Sequence, residues 1–273
     1  MVQDRLAQKF KQIESEGRVG LILFLTAGFP DMDATLELVP ALAQAGADCI
    51  ELGVPFSDPL ADGLTIQASS YHALRNGVTL DSCIKLVDKL RDRVPDTPLI
   101  LFGYYNPILS YGLPKFGQDA HRVGLDGVII ADLPPDESAP LAEECKPQGI
   151  HIIPLLAPTS TDVRIERACQ AASGFIYCVS LTGVTGAREE LPSGVFRLLE
   201  RVRRYTQLPL AAGFGISRRE HVEALGRNAQ AAVVGSALIR IVMDSPRKEL
   251  IDRAQRYVLE LSGAIPSLKG GPG

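Results

Sequence analysis

Eight short apolar runs recur along the whole chain, and their repetition limits the fold more than any other feature. The runs are Leu21–Ala27, Cys49–Gly53, Leu99–Gly103, Gly127–Ala131, His151–Ala157, Phe175–Ser180, Leu208–Ala212 and Ala231–Gly235. Most are rich in Ile, Val and Leu and bounded by Gly, Pro or Asp, as strands covered on both faces are. Between them the apolar residues take a helical period. Ala34–Ala45 carries Leu36, Leu38, Val39, Leu42 and Ala43 on one side, and Asp81–Arg93 carries Ile84, Leu86, Val87 and Leu90. Ser138–Cys145, Asp162–Ala172, Val195–Tyr205 and Arg218–Leu225 read the same way. Pro98, Pro154 and Pro209 fall at or near strand starts, where a missing N–H is tolerated. Gly46, Gly124, Gly149 and Gly226 follow the helical stretches, where a left-handed residue is often needed.

Strand–helix alternation repeated eight times, at roughly 25–30 residues per unit, is the pattern of an α/β (β/α)₈ barrel. The rival, an open doubly wound sheet that binds a dinucleotide, lacks its G-x-G-x-x-G fingerprint after the first run. A length of 273 residues suits one closed barrel. The expectation is a single barrel domain over 1–265 with a disordered tail over 266–273. Val2–Glu16 reads as an extra N-terminal helix that caps the barrel bottom.

With 46% hydrophobic and 22% charged residues the chain can bury a sizeable core, which excludes a disordered chain. The net charge of −4 and the scattered Lys and Arg leave no nucleic-acid footprint. No apolar run reaches the roughly 18 residues needed to span a bilayer, and Met1–Leu6 has no apolar signal core. Cys49, Cys83, Cys145, Cys169 and Cys178 form no C-x-x-C pair, so a reduced compartment, the cytoplasm, is expected.

In such barrels the active site lies at the C-terminal ends of the strands. In the second run, alternation sets Ile50 and Leu52 on one face and Cys49, Glu51 and Gly53 on the other. With the aliphatic pair against the helices, Glu51 points into the barrel mouth. A carboxylate there costs free energy unless it is paired or its pKa rises; the alternative role is an ion pair with a neighbouring strand. Asp62 follows on the same loop, eleven residues after Glu51, and the two can converge on one ligand. Asp62 and Asp58 are equally suited to turn or helix-capping roles. Asp132 ends the fourth run, where catalysis and loop anchoring are both open. Tyr177 offers an interior hydroxyl or a core aromatic with one hydrogen bond. The stretch Leu181–Glu190, with two glycines, two threonines and mixed charge, reads as a mobile flap or a plain connection.

The last two runs lead into Gly213-Phe214-Gly215-Ile216-Ser217 and Val234-Gly235-Ser236-Ala237. Glycines there let N–H groups approach an anion, and the loops after strands seven and eight are a common phosphate site of this fold. His72, His121, His151 and His221 show no metal-ligand spacing, no run ends in lysine, and no G-x-S-x-G elbow occurs. The residues therefore point to a phosphate-ester ligand and carboxylate acid–base chemistry, with no metal and no covalent intermediate.

The segment Glu51-Leu-Gly-Val-Pro-Phe-Ser-Asp-Pro-Leu-Ala-Asp-Gly63 closely resembles the signature of the tryptophan synthase α subunits. So do Phe24–Pro30, Thr65-Ile-Gln67, Tyr105-Asn-Pro107, Ala131–Pro134, Gly183–Gly186 and Gly213–Ser217. The resemblance runs in order from about Leu6 to Ser262. It implies retro-aldol cleavage of indole-3-glycerol phosphate to indole and glyceraldehyde 3-phosphate in tryptophan biosynthesis. By the same resemblance, Glu51 is the general acid/base and Asp62 the carboxylate facing the indole N–H. Tyr177 contacts substrate, Phe24 and Phe214 wall the indole slot, and Gly186, Gly215, Gly235 and Ser236 hold the phosphate. Thr185 holds Asp62 from the flap, and Asp132 steadies the closed flap. The implied partner is a β subunit, in an α₂β₂ complex, facing the Pro55–Asp62 loop and the loop after the third strand. Pyridoxal phosphate is expected only in that partner, with no cofactor or metal in this chain. Leu181-Thr182 stands where enteric-type relatives carry an Arg, and Leu64 where a proline is common. Both departures bear on the flap or the partner-facing loop, not the chemistry. The alternatives are a stand-alone indole-releasing lyase, a catalytically silent activator of the β subunit, and another phosphate-binding barrel such as a phosphoribosyl isomerase.

Overall fold

The computed structural model describes residues 4–179, 191 and 193–266. The expected tail, from 267 onward, and nearly all of the expected flap lie outside the described residues. The strands are β1 (Gly20–Thr26), β2 (Cys49–Gly53), β3 (Leu99–Gly103), β4 (Gly127–Ile130), β5 (His151–Ile152), β6 (Leu155–Leu156), β7 (Ile176–Val179), β8 (Leu210–Gly213) and β9 (Ala231–Val234). All pair in parallel, in the order β5-β4-β3-β2-β1-β9-β8-β7-β6. The two ends of this order, β5 and β6, are halves of the single run His151–Ala157. The sheet therefore closes through that run, and the eight expected strands make a (β/α)₈ barrel.

Pro154 departs from the expectation. It lies inside the fifth strand rather than at its start. It has no N–H to give to either neighbour, and the run changes partners there. The Ile153 N–H donates to the Val128 carbonyl at 3.0 Å, while the Pro154 carbonyl accepts from Tyr177 N–H on the other side at 3.1 Å.

The helices are α1 (Arg5–Ser15), α2 (Met32–Gln44), α3 (Leu64–Arg75), α4 (Leu80–Arg91), α5 (Tyr105–Tyr111), α6 (Leu113–Arg122), α7 (Ala139–Cys145), α8 (Asp162–Ala171), α9 (Ser193–Arg203), α10 (Arg219–Leu225), α11 (Ser236–Asp244) and α12 (Leu250–Ser262). α3, α5, α6, α11 and α12 are not among the helices expected from periodicity. α12 does carry a helical stripe, with Leu250, Ala254, Val258 and Leu261 buried. α5 is seven residues long, too short for a period to show. α6 contains Gly117, which is needed because a Cβ there would lie 2.7 Å from the Glu144 carbonyl oxygen.

Side-chain alternation along the strands splits the core in two. Leu21, Leu23, Leu25, Ile50 and Leu52 face outward into the layer between sheet and helices. Ile22, Cys49, Ile100, Ile129, Ile153 and Phe175 fill the interior. α1 closes the lower end as expected: Leu6, Phe10 and Ile13 are buried in that interior cluster. The Phe10 ring lies 5.5 Å from that of Phe175. Each of these side chains contributes about 1.5–3 kcal/mol by leaving water.

A second device holds the lower rim. In every other barrel strand, an N–H from one of the first two residues donates to a side chain that precedes the next strand. Leu21 donates to Asp48 at 2.8 Å, Leu99 to Asp126 at 2.8 Å, Ile152 to Ser173 at 3.2 Å and Leu210 to Gln230 at 2.9 Å. Arginines complete three of the four. Arg18 grips Asp48 with two nitrogens at 2.6 and 2.7 Å. Arg91 and Arg5 reach Asp126 at 2.7 and 3.1 Å, and Arg203 reaches Gln230 at 2.8 Å.

Candidate active site

At the upper rim, the pleat of β2 sends Glu51 inward, as its alternation with Ile50 and Leu52 requires. Its register neighbours are Phe24 on β1 and Ile100 on β3, so both flanks are apolar. Glu51 is 0% exposed. Neither carboxylate oxygen has a hydrogen-bond partner among the described residues. Burial pushes its pKa up to about 8, so the group is predominantly protonated at neutral pH. The alternative role as a strand-to-strand ion pair is not what the structure shows.

Asp62 sits in the loop between β2 and α3. It is not the helix cap: the N-cap of α3 is Gly63, which makes no side-chain capping bond. The backbone of Asp62 is held at both ends. Its N–H donates to the Pro59 carbonyl at 3.0 Å, and its carbonyl accepts from Gln67 Nε2 at 2.8 Å. Burial raises its pKa to about 6, opposed by the nearby Tyr104 hydroxyl. Asp58, in contrast, is an exposed turn residue that accepts from the Ser57 hydroxyl at 2.9 Å.

Tyr177 rises from β7 into the same space. Burial, then Glu51, then Asp62, push its phenol well above the usual range, which ties the three side chains to one mouth. The ring fits because residue 213 has no side chain: a Cβ on Gly213 would lie 2.6 Å from the Tyr177 Oη. Phe24 meets Phe102 edge-on at 5.6 Å, and Phe102 meets Tyr177 at 6.4 Å. These rings wall the space beside the acids. Phe214 is buried just past β8.

Gly215 has φ +74°, in the left-handed region, and a side chain there would be strained. Gly235 is the N-cap of α11, and Ser236 is that helix's first residue. A Cβ on Gly235 would come 3.6 Å from Phe24 Cβ, so this loop abuts the aromatic wall. The open N–H groups at such a helix start favour an anion. Asp132 accepts the Tyr105 N–H at 2.8 Å and so anchors the start of α5. Thr185 and Gly186 lie outside the described residues.

Sequence reasoning missed Tyr104, Gln67 and Phe102. Tyr104 immediately precedes the motif Tyr105-Asn-Pro107, and Gln67 ends the motif Thr65-Ile-Gln67. Phe102 could have been found from period two, two residues beyond inward-facing Ile100 on β3.

A closed (β/α)₈ barrel with two raised acids beside an aromatic wall at the strand ends has the build of a barrel enzyme working by acid–base chemistry. The family model described as tryptophan synthase alpha chain matches residues 10–264. The chain is 51% identical over 259 residues to the tryptophan synthase alpha chain of Roseiflexus castenholzii, covering 95% of this chain and 99% of that one. It is 47% identical to the alpha chain of Chloroflexus aggregans over 261 residues, covering 96% and 98%. Among solved structures, tryptophan synthase of Mycobacterium tuberculosis superposes with a TM-score of 0.88 at 31% identity, covering 97% of this chain and 99% of that chain. The tryptophan synthase complex of Pyrococcus furiosus superposes with a TM-score of 0.83 at 39% identity, covering 90% and 99%. The chain belongs to the tryptophan synthase alpha chain family and is a carbon–carbon lyase.

Proposed function

We propose that the chain cleaves indole-3-glycerol phosphate to indole and glyceraldehyde 3-phosphate, as the α subunit of a complex with a β subunit. The observation that carries this reading is Glu51: fully buried, without a hydrogen-bond partner among the described residues, and held neutral by that burial. A neutral carboxylic acid can give a proton to indole C3. The resulting carboxylate then takes the proton of the hydroxyl on the carbon attached to C3. The bond between that carbon and C3 breaks, its electrons return to the ring, and the hydroxyl carbon becomes the aldehyde. One proton enters and one leaves, so Glu51 ends as it began. Asp62, ionised above about pH 6, accepts the indole N–H and offsets the positive charge that develops on the ring. Phe24, Phe214 and Tyr177 line the indole slot. The N–H groups of Gly215, Gly235 and Ser236, joined by Gly186, hold the phosphate. Thr185 is the partner this reading gives to Asp62, with Asp132, which accepts the Tyr105 N–H, as a supporting residue.

The partner-facing surface is supported by apolar side chains left in water. Leu60 is 93% exposed, Leu64 77% and Leu109 49%; the first two flank Asp62, and Leu109 lies on α5. Pyridoxal phosphate belongs to the β subunit in this reading. The work is done by one barrel domain over 1–265, in the cytoplasm, where the five free, buried cysteines stay reduced. No helix among the described residues is long and apolar enough to cross a membrane. The test is indole release from indole-3-glycerol phosphate by the purified chain, with and without β subunit. Slow release that rises many-fold with the partner is expected. Fast release unchanged by the partner marks a stand-alone lyase, and no release in either condition overturns the reading.

A further inference from the structure

The loop that leaves β8 has little of its own to hold it. Phe214 to Ser217 belong to no strand or helix, and among the described residues they form no backbone–backbone hydrogen bond. Gly215, in the middle, takes its left-handed φ of +74°, so the direction of its N–H depends on how the two ends of the loop are fixed. Gly213 fixes one end as the last residue of β8. Ser217 fixes the other, and side chains grip it on both sides. Its N–H donates to Nδ1 of His221, on α10, at 3.3 Å. Its carbonyl accepts from the Tyr257 hydroxyl, on α12, at 3.0 Å and across 40 positions of sequence. His221 is 2% exposed. It reaches back from the third position of α10, as the Glu or Gln of a capping box does. Burial pushes the Tyr257 phenol up, so it stays a donor at neutral pH. α12 is a firm base for it: Leu250, Ala254, Val258 and Leu261 are buried, and Gln255 Nε2 donates to the Ala41 carbonyl on α2 at 3.1 Å.

We propose that His221 and Tyr257 are positioning residues of the phosphate subsite: by clamping both backbone groups of Ser217, they set the direction in which the Gly215 N–H meets the phosphate of the substrate. This inference rests on the phosphate site proposed above. In this role neither side chain contacts substrate. The clamp matters because a hydrogen bond weakens steeply as its angle closes, and a bond to a charged phosphate oxygen has the most to lose. The clamp also acts on one half of the ligand only. β8 is separated from β2, which carries Glu51, by β9 and β1. Loosening Ser217 therefore weakens the hold on the phosphate and leaves the acids in place.

Tyr257→Phe keeps the ring and removes only the hydroxyl. In the full chain with its β subunit, KM for indole-3-glycerol phosphate is expected to rise about three- to tenfold with kcat little changed. The same loss is read without turnover, by titrating the full chain with glycerol 3-phosphate and, separately, with indole. Glycerol 3-phosphate should bind Tyr257→Phe about three- to tenfold more weakly, with indole binding unchanged. His221→Leu, which removes the acceptor, should behave alike. His221→Gln, which can still reach back to the Ser217 N–H, should bind glycerol 3-phosphate within about twofold of the wild type. Selective loss with rescue by glutamine supports the clamp. Equal weakening of both ligands, or no weakening in Tyr257→Phe, overturns it while the phosphate site stands. Failure of the wild-type chain to bind glycerol 3-phosphate overturns the phosphate site itself, and the clamp with it.

Discussion

The two rims of this barrel treat buried carboxylates in opposite ways. At the lower rim Asp48 and Asp126 each receive a strand N–H and one or two guanidinium groups. At the upper rim Glu51 is more deeply buried and receives nothing among the described residues, and Asp62 has no guanidinium or ammonium partner among them. Both rims are built on the same strands. A paired acid fixes the sheet, because removing it strands its partners. An unpaired acid weakens the fold and keeps a proton ready, because low polarity disfavours its charge. The rims show stability and chemistry assigned to opposite ends of one sheet.

The sharpest way to break the comparison is Glu51→Gln. Indole release should fall about 10²- to 10⁴-fold, while thermal stability holds or rises, since a neutral amide replaces an acid that loses stability on ionising. A destabilised variant would show that Glu51 has a structural partner after all. Next in size is Asp126→Ala, which leaves Arg5, Arg91 and the Leu99 N–H without their acceptor. It should cost about 3–5 kcal/mol in a urea unfolding curve, with turnover per folded molecule unchanged. A rate loss in the folded fraction would mean the lower rim reaches the chemistry. Asp62→Asn should lower kcat about 10²- to 10³-fold, with a near-normal unfolding curve; a mild effect would demote Asp62 to a loop residue.

The smallest effect is the pH dependence of stability. Between the ordinary value of 4.5 and about 8, folded Glu51 keeps a proton that the unfolded chain has released. Its contribution is whole below 4.5 and is lost as pH rises through that window, at up to about 1.4 kcal/mol per pH unit. Asp62 adds the same sign between 3.8 and about 6. Unfolding curves across pH 4.5–8 should show Glu51→Gln losing less stability with rising pH than the wild type. Equal slopes would place the Glu51 proton elsewhere.

Much of the upper rim was legible because it follows from local period. A two-residue alternation in Cys49–Gly53 was enough to aim Glu51 inward, and the glycines near 213–215 and 235 marked the last two strand ends. The lower rim was not legible. Asp48 and Asp126 look like ordinary pre-strand residues, and their partners lie at distances in sequence of 27 to 121 residues. Pro154 misled in the same way: its position near a strand start was read correctly for Pro98 and Pro209, but here the run serves two neighbours.

By itself the sequence determined the order of strands and helices, the inward face of each strand, and the residues available at the barrel mouth. Each of these depends on neighbours a few positions away. The tertiary structure alone decided that Glu51 stands between Phe24 and Ile100 with no partner among the described residues. It also decided that the Tyr104 hydroxyl accepts the Ala61 N–H across a separation of 43 positions, and that Gly213 makes room for Tyr177. Burial, pairing and steric fit are properties of the environment a side chain meets. That environment is assembled from residues far apart in the chain only when the barrel closes.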